Sequence, residues 1–238
     1  MSHLAETLLF MGGRPEFDFA SVSRGDMMSW VVLETDFVPD VTESLTTTTL
    51  LDGLLQPDDK AIWREFDARY RPIIVGFALR FGLSIEDAAD VAQDTLASFL
   101  KEYRAGKYEP QRGRLRSWII GILKHRVADW RRAQARRRGW RGESALIDLA
   151  EDDRLEEVWD SERRAALLRQ ALCELREKTR LSEKSLRAFE GYVVQQRSVE
   201  EVAAELGLTP HDVYMVKNRV AERLREILNR LEALFDDR

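Results

Sequence analysis

Cysteine is nearly absent: Cys173 stands alone among 238 residues, so no disulfide can close within the chain and a reducing compartment is expected. Histidine is almost as scarce. His3, His125 and His211 lie far apart, no glycine-rich phosphate loop precedes a helix, and the paired acids Asp152 and Asp153 fall in an expected linker. Metal, hydrolytic and phosphoryl-transfer chemistry therefore has no constellation to rest on; no enzyme activity and no cofactor are expected. With 13 glycines and 6 prolines the chain is too poor in turn formers for a strand-rich sandwich or barrel. No apolar run approaches the roughly 20 residues of a membrane span, and the first residues lack the basic start of a secretory signal. A cytoplasmic protein without a membrane partner is expected.

What the chain does have is leucine, alanine, arginine and glutamate, with 44% hydrophobic and 33% charged residues, a composition of helices around a buried core. The net charge of -5 hides strong segregation. Residues 1–59 carry 11 acidic and 2 basic side chains, residues 101–141 carry 3 acidic and 14 basic, and residues 143–162 carry 9 acidic and 1 basic. A single short charge run is usually a solvated face. The excess of cations over 101–141 instead favours a polyanionic partner. The same segregation suggests that an acidic segment, within 1–59 or 143–162, folds back over the basic one and weakens its binding to that partner.

Periodicity divides the chain. Residues 1–46 show no sustained period and are expected to be a largely disordered extension, with Trp30–Leu33 as a possible ordered piece. From Lys60, the residues Ile62, Phe66, Tyr70, Ile73 and Phe77 share one helical face, with a kink or break expected at Pro72. Ser84 and Asp87 form a capping signal ahead of the stripe Ala88, Val91, Ala92, Thr95, Leu96 and Phe99. A loop over 103–113 leads to a further stripe of Leu115, Trp118, Ile119, Ile122, Leu123, Val127 and Trp130. The acidic stretch 139–160 reads as a linker. A second helical set starts near Ser161, with Ala165, Leu168, Leu172 and Leu175 on one face and then Leu186, Phe189 and Val193. The predicted fold is all-α: two small helical domains, 47–138 and 161–238, joined by an acidic linker.

Residues 198–225 carry helix-turn-helix grammar. Ser198 and Glu201 make a capping box, and Gly207 suits a left-handed helix end. Thr209 caps the next helix, where Pro210 needs no N–H and Asp212 favours the helix start. Val213, Val216, Val220, Leu224 and Ile227 line one face of that helix. His211, Met215, Asn218, Glu222 and Arg225 point the other way, flanked by Tyr214, Lys217 and Arg219, and several of these can donate to base edges or phosphates. An ordinary helical hairpin with a wet outer face has the same pattern, and spacing does not separate the two.

In this order and spacing the run Asp87–Thr95, the stretch Tyr108–Trp118, the tetrad Asp129–Arg132 and the segment Ser198–Arg225 resemble bacterial RNA polymerase sigma factors of the sigma-70 type, in particular the short two-domain extracytoplasmic-function (ECF) class, across residues 47–233. The resemblance implies that Asp90, Gln93 and Asp94 contact core RNA polymerase. It implies that the first domain recognises and melts the minus-ten promoter element and holds the melted non-template strand, through Lys107, Tyr108, Arg112, Arg114, Arg116, Lys124, His125, Arg126, Arg131 and Arg132. Trp118, by its register, is expected to pack on the apolar stripe. His125 departs from the asparagine of many relatives, which affects base preference there. The second domain is implied to read the double-stranded minus-thirty-five element through Thr209, His211, Tyr214, Lys217, Asn218 and Arg219. An anti-sigma partner is common in this class. The competing reading is a helix-turn-helix regulator that binds duplex operators without polymerase.

Overall fold

The computed structural model describes residues 47–56, 59–109, 111, 113–137, 152–178 and 181–235. Its elements are α1 (Thr47–Leu54), α2 (Lys60–Arg80), α3 (Ile85–Arg104), α4 (Leu115–Arg137), α5 (Asp152–Lys178), α6 (Glu183–Phe189), a π-helical turn (Glu190–Val194), α7 (Val199–Leu206) and α8 (Pro210–Ala233). No strand occurs among the described residues, so the all-α expectation holds. The expectations for residues 1–46, including Trp30–Leu33, lie outside the described residues.

The chain divides into two compact units. One holds α1 to α4, the first part of α5 through Ala166, and Leu234–Phe235. The other holds α5 from Leu167 onward with α6, the π turn, α7 and α8. Residues 152–160, read from the sequence as the second half of a linker, are instead helical, because Leu155 and Trp159 recur four apart beneath the acidic surface and are each 1% exposed.

In the first unit α2, α3 and α4 pack in sequence. Phe66, Tyr70, Ile73 and Phe77 of α2 are buried, as are all six apolar-stripe residues of α3. The Phe66 and Phe99 rings stack at 4.8 Å, which locks α2 to α3. Asp59 caps α2 through its carboxylate, and Ser84 caps α3 by accepting from the Asp87 N–H at 3.1 Å. α2 runs unbroken through Pro72, so the expected break is absent. Packing of Tyr70, Ile73 and Ile74 on both sides of the proline carries the helix past one missing hydrogen bond. α1 is a further difference from the sequence expectation, which starts the helices at Lys60: Leu50 and Leu54 are buried, and Thr47 donates from its N–H and hydroxyl to the Leu234 carbonyl.

In the second unit α8 packs against α6, the π turn and α7. All five residues expected on its inner face are buried. α7 opens with the reciprocal Ser198–Glu201 capping box and ends at Gly207, whose φ of 57° is the left-handed conformation that a side chain would strain. Three residues later α8 begins. Thr209 accepts from the Asp212 N–H at 3.1 Å while its own N–H donates to the Asp212 carboxylate at 3.0 Å, a second reciprocal cap. That hydrogen bonding holds the Asp212 carboxyl below its ordinary value, the Thr209 hydroxyl contributing most and its N–H next.

Candidate nucleic-acid interface

α3 turns its apolar stripe inward, which leaves Asp90, Gln93 and Asp94 on the solvent side, all exposed and within one helical turn of each other. α3 and α4 are also joined at their polar edges. The Trp130 indole donates to Asp87, and this bond, followed by that from Ser84, holds the Asp87 carboxyl below its ordinary value. Arg126 of α4 donates to the Ser98 hydroxyl of α3 at 2.6 Å.

The basic residues expected to meet DNA fall into two groups. Lys107 and Arg114 in the loop, and His125 and Arg132 on α4, are exposed. Arg132 is paired with Asp129 at 2.7 Å. The other described cations, Arg116, Lys124, Arg126 and Arg131, are half-buried within the unit. Arg131 donates to the Phe81 carbonyl at 2.9 Å and lies over the Phe81 ring, and burial pushes its guanidinium down. Arg112 lies outside the described residues.

Arg116 is held by two carboxylates of α5. Its guanidinium donates to Glu156 at 3.0 Å and to Asp160 at 3.1 Å, both on α5, and the neighbouring Ser117 hydroxyl donates to Glu156 at 2.9 Å. Two carboxylates therefore stand where the resemblance puts a phosphate. A few residues on, the buried Glu162 carboxylate pairs with Arg80 at 2.7 Å. It rests on α2 at Gly76, where a Cβ would lie 2.2 Å from a Glu162 oxygen. The charge segregation suggests an acidic segment within 143–162 lying over the basic one, but not these particular pairs, since Ser117 and Arg116 lie 39 to 44 positions from their partners.

The loop aromatics form one cluster. Tyr108 stacks on Trp118 at 5.1 Å with planes 14° apart, and Trp118 meets Phe99 edge-on at 5.2 Å. Trp118 is thus a half-buried packing residue, while Tyr108, expected as a surface for an unstacked base, already has an aromatic partner.

On α8 the outward face presents His211, Tyr214, Met215, Asn218, Arg219 and Glu222, all exposed. Lys217 is half-buried, with its ammonium 5.9 Å from the Tyr214 ring centre, and Tyr192 of the π turn meets the same ring edge-on at 5.7 Å. The Thr209 hydroxyl is committed to Asp212, a helix-capping position. Arg225, expected on the outer face, is half-buried. Among the described residues no cluster of His, Cys, Asp and Glu could hold a metal ion, and no helix is long and apolar enough to cross a membrane.

No curated protein and no solved structure matches the chain. Residues 66–137 match the family model described as Sigma-70 region 2, a stretch that begins within α2 and ends with the last residue of α4. The match covers most of the α2–α4 bundle and shows what that part of the chain is similar to.

Proposed function

We propose that this protein is a sigma-type specificity subunit of the extracytoplasmic-function class, which binds core RNA polymerase and directs it to promoters. The observation that carries the reading is the Sigma-70 region 2 match over a bundle with an exposed acid-and-amide face on one helix and a basic helix beside it. Asp90, Gln93 and Asp94 offer directional acceptors to cations of polymerase. Lys107, Arg114 and Arg132 follow the phosphate backbone at the minus-ten element, where His125 bears on base preference and Tyr108, backed by the packed Trp118, offers a surface to an unstacked base. Docking on polymerase and these contacts offset the few kcal/mol of stacking lost per opened step. The α7–α8 pair lays α8 in the major groove of the minus-thirty-five element, with His211, Tyr214, Lys217, Asn218 and Arg219 towards the DNA and Thr209 fixing the start of the helix. The chain itself performs no covalent chemistry; nucleotide addition belongs to polymerase.

Run-off transcription with purified core polymerase from the same source tests this. Promoter-dependent transcripts that need the chain support it. Tight binding to duplex DNA with no association to core enzyme contradicts it and favours an operator-binding regulator.

A further inference from the structure

Among the described residues few large hydrophobic side chains are well exposed, and two of them are neighbours on the outer face of α8: Tyr214 at 42% and Met215 at 53%. Isolated exposed apolar residues are ordinary on a protein surface. These two stand in the middle of a face otherwise made of His211, Asn218, Arg219 and Glu222. Tyr214 is braced by Tyr192 and Lys217 and ends in a hydroxyl. Met215 has no hydrogen-bonding hydrogen to offer a base or a phosphate, so a search for donors along the helix passes over it.

The edges of the base pairs in the major groove carry one apolar group, the 5-methyl of thymine. An unbranched thioether in the second turn of a helix lying in that groove has the reach and adaptability to cover such a methyl. The cations beside it supply charge complementarity to the flanking phosphates: Arg219 is exposed and Lys217 lies within the same turn. We propose that Met215 is a specificity-determining residue that recognises a thymine through its 5-methyl group in the upstream promoter element. The proposal rests on the reading of the α7–α8 pair as a DNA reader.

The test uses the full chain bound to core polymerase. Duplexes are selected from a library randomised upstream of the start site, and each thymine of the enriched upstream motif is replaced in turn by deoxyuridine, which removes only the methyl. The expected result is one thymine whose replacement weakens binding about fourfold, as for one methyl group left in water. That sensitivity disappears in Met215→Ala and persists in Met215→Leu, with polymerase binding unchanged in both. An enriched motif whose methyls are all dispensable, or matter equally in Met215→Ala, overturns the role of Met215 while leaving the DNA-reading role of α8 standing. Loss of polymerase binding in Met215→Ala overturns it in favour of an apolar protein contact. If no upstream motif is enriched, the proposal falls together with the reading beneath it.

Discussion

Phe99 lies at the crossing of two aromatic lines, stacked on Phe66 within the core and met edge-on by Trp118 at its border. A side chain with no exposure and ring contacts on two helices has no way to relax when truncated. Phe99→Ala is therefore expected to destabilise the first unit by about 3–5 kcal/mol, read by urea denaturation with an unchanged m-value. Helix caps give a second residue-scale prediction. The Asp212 carboxyl titrates below the ordinary value of 3.8 in the folded chain because Thr209 donates to it. A depressed folded value means that its stabilisation is present above the unfolded value and is lost as pH falls through the folded one. Carboxyl NMR should place the midpoint of Asp212 below that of an unfolded peptide. Thr209→Ala should bring it back and cost the second unit about 1 kcal/mol.

At the scale of elements, α3 was the most legible from sequence, since its cap and its six-residue stripe obey one period and the structure buries all six. The same holds for the inner face of α8 and for the capping box of α7. α1 was missed because it is a single pair of leucines behind a run of threonine, too short to display a period. The start of α5 looks like a linker in sequence because acids dominate its composition, while the buried apolar side chains at its start are only Leu155 and Trp159. The role of Arg116 was illegible for a different reason. A lone arginine in a basic segment reads as a phosphate ligand, and nothing local shows that Glu156 and Asp160 will pair with it. Those acids compete with DNA for the same guanidinium. Glu156→Gln with Asp160→Asn should tighten binding to a nonspecific duplex and steepen its salt dependence by about one phosphate contact. Adding Arg116→Ala should cancel both effects, as filter binding over a salt series would show. The exposed face of α3 has its own prediction: Asp90→Asn, Gln93→Ala and Asp94→Asn together abolish co-purification with core polymerase while leaving the thermal midpoint within about two degrees.

For the whole molecule, the charge segregation seen in the sequence becomes a division of labour between surfaces. Asp90 and Asp94 of α3 face solvent, Glu156, Asp160 and Glu162 of α5 lie against Arg116 and Arg80, and α8 presents a mixed face of donors and one thioether. In the proposed account polymerase takes the first surface, melted DNA competes for the second, and duplex DNA meets the third. The most direct measurement is permanganate mapping of unpaired thymines on a promoter mixed with core polymerase, with and without the chain. The account predicts reactive thymines around the minus-ten position only when both proteins are present, and their loss with the α3 triple variant. A promoter that stays unreactive with both proteins, although the chain is bound to it, would contradict the account.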